Sequence, residues 1–155
     1  MLKQLQIKNY ALIDELDIKF SNNLSVITGE TGAGKSILLG ALGLILGKRA
    51  DIQTLQNKES KCIIEGSFQI GEYQLNSFFD NNDLDYEIET TLRREISPNG
   101  KSRAFINDTP VNLGQLKELG SHLIDVHSQH ETLLLNSMSF KFSVIDSFAG
   151  HSDKL

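Results

Sequence analysis

The chain has 155 residues, of which 39% are hydrophobic and 23% charged, and its formal net charge is −5. This length suits one domain or a piece of a larger protein, and the composition argues against disorder. An acidic chain cannot bind nucleic acid through its bulk charge, so contact with DNA requires a local basic patch. The single cysteine, Cys62, excludes a disulfide framework and is predicted to be a small core residue.

The N-terminal residues alternate between polar and apolar types and contain no hydrophobic region typical of a signal peptide. The longest apolar run, Ile37 to Leu46, is far shorter than the roughly 20 residues that cross a membrane. We therefore expect a cytoplasmic protein with no membrane partner.

In chain order, the first third of the sequence predicts three strands and a helix. Residues 2–10 (LKQLQIKNY) and 16–20 (LDIKF) alternate with the period of two that is typical of strands. Residues 24–28 (LSVIT) predict a third, short strand. A helix is expected over residues 35–46, apolar on almost all sides and therefore buried, and Gly47 is expected to end it.

The middle of the chain predicts, in order, a polar loop, a strand, a short helix or turn and a β-hairpin, over residues 48–60, 61–70, 73–83 and 87–108. The hairpin prediction depends on Asn99-Gly100, a pair that strongly favours tight turns between strands. Its two strands are expected over residues 87–96 and 102–108.

The C-terminal third is expected to contain two helices and a strand. Asn112 can cap a short helix whose leucines recur at helical spacing. Residues 122–127 (HLIDVH) predict a strand, and residues 139–150 predict a final helix. The order of elements indicates an α/β domain, but not a regular alternation of strands and helices.

Residues 29–36 (GETGAGKS) match the phosphate-loop pattern G-x-x-x-x-G-K-[ST] at every fixed position. The glycines allow successive N–H groups to point inward at a helix N-terminus, which forms a nest for anions. Lys35 can reach the β- and γ-phosphates, and the Ser36 hydroxyl can ligate Mg²⁺. The candidate nucleotide-binding residues are Gly29, Glu30, Thr31, Gly32, Ala33, Gly34, Lys35, Ser36 and Ile37.

Two other segments invite a functional interpretation. Residues 99–102 (NGKS) look like a second phosphate loop but lack the upstream glycine, so a hairpin turn is favoured. His127 ends a predicted strand, and His130 and Glu131 come just after it. The three residues do not have the spacing of a helical zinc motif. A metal site, solvent-facing loop residues, and a glutamine that joins the nucleotide site all remain open there.

Three segments together carry a family resemblance: GETGAGKSILLGALGLILGKRAD, LRREISPNGKSRAFIND and LIDVHSQHETLLL. They resemble the N-terminal head segment of the RecN family of bacterial DNA repair proteins, which are SMC-like members of the ABC ATPase superfamily. The resemblance implies that residues 1–150 form the N-terminal lobe of a P-loop ATPase head. This α/β lobe would have a strand-rich sheet around one buried phosphate-loop helix, and residues 151–155 would begin a coiled-coil arm.

The resemblance also implies the ligands and partners. ATP and Mg²⁺ are expected, with Gln129 as the Q-loop glutamine that reaches Mg²⁺ and the attacking water. Lys35 and Gln129 are then the candidate catalytic residues, and Ser36 and Gln129 the candidate Mg²⁺ ligands. The expected partners are the C-terminal lobe of the same protein, a second head in an ATP-dependent homodimer, and DNA, in the cytoplasm at the nucleoid.

Three further residues have a role only by resemblance. Arg49 falls where SMC-type heads place an arginine linked to DNA sensing, although a solvated surface arginine explains it equally well. Asn9 and Tyr10 fall where related heads contact the base or ribose, and a polar pair on an edge strand is the alternative.

The chain departs from the full family pattern, because it has no LSGGE-like signature motif and no run of coiled-coil heptads. We also expect the chain to lack a Walker B motif, which is four apolar residues followed by Asp-Glu; the resemblance implies that its carboxylates lie in the C-terminal lobe. We therefore expect weak nucleotide binding and negligible hydrolysis by this chain alone. The alternatives are the head of another SMC-like or RecF-like ATPase, a stand-alone P-loop kinase or GTPase, and a non-enzymatic DNA-binding module, which the net charge disfavours.

Overall fold

The computed structural model describes residues 1–28, 34–126, 138, 142 and 145. These residues form six strands and three α-helices, in the order β1 (Leu2–Tyr10), β2 (Ile13–Lys19), α1 (Gly34–Ile45), β3 (Cys62–Gln69), α2 (Asn76–Asn81), β4 (Glu89–Ile96), β5 (Ser102–Ile106), β6 (Thr109–Val111) and α3 (Leu113–Leu123). All of these elements lie in one compact unit, Met1–Ile124, and Asp125–Leu155 form a second unit.

The strands form one sheet in the order β2-β1-β3-β4-β5-β6, and every neighbouring pair is antiparallel. Alternate residues of the central strands point to a single buried face, which carries Ile7, Ile64, Leu92 and Ile106, each fully buried. Helices α1 and α3 contribute to the same hydrophobic core. The expectation of a strand-rich α/β lobe without regular strand–helix alternation is confirmed.

Helix α1 is buried only in its second half. Its buried residues are Ala41, Gly43, Leu44 and Ile45, whereas its first turn is exposed and Leu39 is 46% exposed. The expectation that this helix is buried on almost all sides is therefore wrong for its N-terminal half. An apolar sequence pattern indicates that the side chains favour burial, but burial also requires another element that packs against them.

The end of α1 is closed by a Schellman motif. The Lys48 N–H donates to the Gly43 carbonyl at 2.8 Å and the Gly47 N–H donates to the Leu44 carbonyl at 3.3 Å, with Gly47 at a φ of +88°. A Cβ at Gly47 would lie 2.7 Å from the Cα of Lys117 in α3. Glycine is thus required both for the turn and for the close approach of α3, and the expected end of the helix is confirmed.

Two expected strands are wrong. Residues 24–28 belong to no strand, although their sequence favours one. Leu24 and Val26 are instead 79% and 74% exposed. Residues 124–126 are also outside any strand, because α3 continues to Leu123; residue 127 lies outside the described part of the chain. A strand needs a neighbour to complete its hydrogen bonds, and β-propensity alone does not provide one.

The other elements agree with expectation within a few residues. Asn112 caps α3 through a capping box with Gln115, and Gly100 has a φ of +81° in the turn between β4 and β5. Cys62 is fully buried, as predicted. The sequence patterns did not predict β6 or the start of β2. Within the expected final helix, Phe142 and Ile145 are helical, as is Met138 just before it, and the other residues of that helix are not described.

In the described part of the chain, none of the helices combines the length and apolarity that crossing a membrane requires.

Candidate functional site

The N-terminal turn of α1 presents the end of the phosphate-loop motif to solvent. Gly34, Lys35 and Ser36 are all exposed, and a Cβ placed on Gly34 would have no atom within 4 Å. The first N–H groups of a helix have no partner inside the helix, and they carry the positive end of its dipole. Among the described residues, nothing crowds Gly34, so an anion can approach the backbone at this helix end.

Only part of the predicted site is described by the structure. Ile37, the next residue of α1, is half-buried and packs against the core. Five predicted phosphate-loop residues lie outside the described ranges: Gly29, Glu30, Thr31, Gly32 and Ala33. Gln129 also lies outside them, as do His127, His130 and Glu131. Within the described ranges, no cluster of three or more His, Cys, Asp or Glu residues could hold a metal ion.

The strand β2 comes close to the N-terminus of α1. The two elements share the wall of a pocket of about 350 Å³, which is lined by Ile13, Leu16, Ile27, Thr28, Gly34, Lys35 and Leu38. Most of the pocket wall is apolar, and Gly34 and Lys35 form part of it. The tertiary structure thus places an apolar recess beside the phosphate-loop lysine, which the sequence did not indicate.

Asn9 has its side chain fully engaged by the backbone of a loop. Its Oδ1 accepts from the Asn57 N–H at 2.6 Å, and its Nδ2 donates to the carbonyls of Asn57 and Ser60 at 2.9 and 2.8 Å. Asn9 is 7% exposed. The amide therefore holds residues 57–60 in place, and its atoms are not presented to a ligand.

Tyr10 lies against α1. A Cβ on Gly40 would meet the Tyr10 hydroxyl at 2.6 Å, so a larger residue at position 40 would force the Tyr10 ring to shift. Burial raises the pKa of Tyr10. Because β1 lies between β2 and β3, the alternative of an edge-strand polar pair is wrong for both Asn9 and Tyr10.

The sequence of residues 10–15 (YALIDE) has the order of a Walker B motif, four apolar residues followed by Asp-Glu, which sequence reasoning overlooked. These residues form the turn between β1 and β2 and the start of β2. Asp14 and Glu15 are both exposed, and Glu15 pairs with Lys8 at 2.8 Å. A Walker B motif requires carboxylates at the end of a buried strand, so this segment does not supply them.

Two basic loops that are distant in sequence lie side by side. A Cβ on Gly100, in the hairpin turn, would be 3.9 Å from Ile52 Cδ1, and Lys58 and Pro98 line one pocket of about 190 Å³. Arg49, which begins the first of these loops, is exposed. The fold therefore brings residues 52–58 of the first loop next to the hairpin turn at residues 98–100.

The outward face of the sheet carries a charged cluster around an aromatic ring. The guanidinium groups of Arg93 and Arg103 lie 4.5 and 5.8 Å from the centre of the Phe105 ring, which is 8% exposed. Arg103 donates to Glu95 at 2.8 Å, and Arg93 pairs with Asp108 at 3.0 Å. The positive charges on this face are thus largely balanced by carboxylates.

Comparison with known proteins adds the family. The AAA domain family matches residues 4–148. The DNA repair protein RecN of Vibrio cholerae serotype O1 is 43% identical over 156 residues, which cover 100% of this chain and 28% of that protein. RecN of Haemophilus influenzae is 40% identical over 159 residues, with the same coverage of 100% and 28%. The chain thus spans little more than a quarter of the length of these relatives.

Solved structures agree on the fold. An SMC ATPase studied for ATP-driven dimerisation and DNA-stimulated activation has a TM-score of 0.64 and 17% identity, covering 95% of this chain and 98% of that one. The recombination mediator RecF with ATP has a TM-score of 0.62 and 17% identity, covering 95% and 38%. The expected fold, an N-terminal lobe of an SMC-type ATPase head, is confirmed.

Proposed function

The chain belongs to the AAA domain family of ATPases and resembles the N-terminal part of RecN proteins, and on this premise we propose that it is the ATP-binding head lobe of a protein that acts in DNA double-strand-break repair and recombination. The observation that carries the proposal is the exposed first turn of α1, where Gly34, Lys35 and Ser36 end a complete phosphate-loop motif. In this proposal residues 1–150 are the lobe and residues 151–155 begin the arm.

The described residues of the site fit a nucleotide with Mg²⁺. The open space at Gly34 lets phosphate oxygens reach backbone N–H groups, and Lys35 supplies a positive charge next to them. The Ser36 hydroxyl is an oxygen ligand of the kind Mg²⁺ prefers. When bound, the metal would neutralise charge on the phosphate oxygens.

The remaining roles are assigned by the sequence motif. Residues 29–33 would complete the phosphate nest with their N–H groups, and Ile37 would continue the helix behind it. Gln129 would orient the attacking water and contribute to the Mg²⁺ site, as its place in the Q-loop implies.

Hydrolysis is proposed to need a C-terminal lobe and a second head. Phosphoryl transfer depends on positioned charges around the metal and the water, and among the described residues no Asp or Glu is buried at a strand end to provide them. Leu24, Val26 and Ile27 are 79%, 74% and 47% exposed just before the phosphate loop. Such apolar side chains beside the site support a covering lobe at this position.

DNA is proposed as a partner of the full-length protein, which would act in the cytoplasm at the nucleoid. A chain of net charge −5 requires a local basic patch for this purpose. The adjacent loops that carry Arg49, Lys58 and Lys101 support such a patch at one end of the sheet.

The test is nucleotide binding by the 155-residue chain, measured by calorimetry with ATP and Mg²⁺. We expect Lys35→Ala to reduce the affinity by at least about tenfold, because the phosphates lose their cation. Lys101→Ala is the matched control, since Lys101 occupies a Gly-Lys-Ser sequence in a hairpin turn. Equal ATP affinity for the parent and Lys35→Ala would contradict nucleotide binding at this site. Hydrolysis by the chain that is lost in Lys35→Ala would contradict the need for a second lobe.

A second candidate is the head lobe of another SMC-like or RecF-like DNA-binding ATPase, which the structural likeness to RecF supports. The gene downstream of residue 155 distinguishes the two, because a RecN-type protein continues into a moderate coiled coil, a signature motif and Walker B carboxylates. A stand-alone kinase or GTPase is less favoured. Residues 56–60 (QNKES) have Ser60 where a base-reading Asp is required.

A further inference from the structure

Arg94 lies on the apolar face of the sheet. It is 5% exposed, in the middle of β4, between the buried residues Leu92 and Ile96 on the same face. Its cross-strand partners are Ile64 on β3 and Ala104 on β5, which are 0% and 4% exposed. A cationic side chain thus occupies a position where every neighbour in the sheet register is apolar.

The Arg94 side chain has no counter-charge among the described residues. Its Nε is buried and makes no hydrogen bond, and none of the ion pairs found there involves it. Arg93, the preceding residue, points to the other face and pairs with Asp108 at 3.0 Å. Burial lowers the pKa of Arg94, with no carboxylate acting in the opposite direction.

An arginine stays charged inside a protein, because its pKa is far above neutral pH. A buried charge without a partner destabilises the fold strongly, whereas a buried ion pair with good geometry is tolerated. Among the described residues, Arg94 therefore has no carboxylate that completes an ion pair. An anion from outside the described residues would complete it.

We propose that Arg94 receives the carboxylate of an aspartate or glutamate from the C-terminal lobe, and that this ion pair is a docking point between the two lobes. This inference rests on the proposed function, because it requires a C-terminal lobe. The relatives are long enough to supply one, since the chain spans only 28% of their length. The Arg94 guanidinium is only 5% exposed, so a carboxylate on a closely packed protein element can reach it. A phosphate of duplex DNA is disfavoured as the anion, because the DNA backbone contacts cations on an open surface.

The first experiment measures urea unfolding of the 155-residue chain. Arg94→Met, which keeps the length of the side chain and removes its charge, should lower the unfolding equilibrium constant by about tenfold, because the unpaired charge is gone. Arg103→Met is the matched control on the opposite face, where the arginine already has Glu95 as a partner. A less stable or unfolded Arg94→Met chain overturns the proposal.

The second experiment identifies the partner in the full-length protein. There Arg94→Met should raise the unfolding equilibrium constant instead, since it leaves the carboxylate unpaired. Each Asp and Glu beyond residue 155 is neutralised in both backgrounds. Neutralising one of these carboxylates should raise the unfolding equilibrium constant of the parent, and the rise should be at least about tenfold smaller in Arg94→Met. Coupling to no carboxylate beyond residue 155 overturns the docking assignment.

Nucleotide and DNA binding separate this inference from the proposed function. Arg94→Met should leave the ATP affinity of the chain and the DNA affinity of the full-length protein within about twofold of the parent. A larger loss of either affinity means that the anion is a phosphate, which overturns the carboxylate assignment. Lys35→Ala should lower the ATP affinity by at least about tenfold and leave the Arg94 coupling intact, so that failure of one proposal is distinguishable from failure of the other.

Discussion

The side-chain amide of Asn9 forms hydrogen bonds with both backbone polar groups of Asn57. Its Oδ1 accepts from the Asn57 N–H at 2.6 Å, and its Nδ2 donates to the Asn57 carbonyl at 2.9 Å. This amide, 48 residues away in sequence, fixes the loop that leads into β3. Asn9 itself has a φ of +54°, a conformation that asparagine adopts more readily than most residues.

Replacing Asn9 tests this relationship. Asn9→Ala should lower the free energy of unfolding by about 2–4 kcal/mol, because buried backbone groups lose their partners and alanine is strained at positive φ. Asn9→Gly relieves the strain but not the lost hydrogen bonds, so it should be more stable than Asn9→Ala by about 1 kcal/mol. Urea unfolding measures both, and a change below about 0.5 kcal/mol in Asn9→Ala would show that the hydrogen bonds contribute little.

Gly47 provides a test of the contact between α1 and α3. Gly47→Ala should destabilise the chain by about 2 kcal/mol or more, because alanine is strained at this φ and its methyl group would meet the Lys117 backbone at 2.7 Å. Gly71→Ala is the control, since a Cβ there meets only Ile88 Cγ2 at 3.4 Å. Thermal unfolding should separate the two variants clearly, and similar midpoints would refute the proposed requirement for glycine.

The buried thiol of Cys62 should be unreactive in the folded chain. Burial raises its pKa from 9.0 to about 11, so the reactive thiolate is scarce at pH 8. Labelling with an aromatic disulfide reagent should therefore be limited by unfolding. A cysteine introduced at the exposed position 23 in Cys62→Ala should label at once, and equally fast labelling of the parent would contradict the burial of Cys62.

The same shift makes stability depend on alkaline pH. The pKa of Cys62 is higher in the folded state than in the unfolded state, so the stability associated with the protonated thiol is complete below about pH 9. It is lost as the pH rises towards 11. Between pH 9 and 11 the free energy of unfolding should fall more steeply for the parent than for Cys62→Ala. Parallel curves in urea titrations at each pH would rule out this contribution.

The exposed apolar side chains before the phosphate loop should cause self-association of the isolated chain. Val26 is 74% exposed, and Leu24 is close to it in sequence and 79% exposed. Val26→Glu should lower the average mass found by sedimentation at high concentration, whereas Asn23→Glu, which adds the same charge three residues away, should change it less. A monomeric parent would exclude association through this segment.

Local sequence signals predicted much of the fold. The period-two patterns predicted β1 and β3, and Asn99-Gly100 predicted the hairpin of β4 and β5. Asn112 predicted the start of α3, and Gly47 predicted the end of α1. The hydrogen bonds that cap these helix ends join residues only a few positions apart in the chain. These features are local, so neighbouring residues in the chain are enough to determine them.

The sequence by itself also determined the motif, because the spacing of the phosphate-loop residues is a property of consecutive positions. Only the tertiary structure decided that residues 24–28 pair with no described strand, that Asn9 binds the backbone of a loop, and that Arg94 faces the apolar side of the sheet with no ion-pair partner among the described residues. Each of these depends on which distant segment comes to lie next to the residue. Side-chain type expresses a preference for burial, pairing or charge, but contact between distant segments decides whether that preference is met.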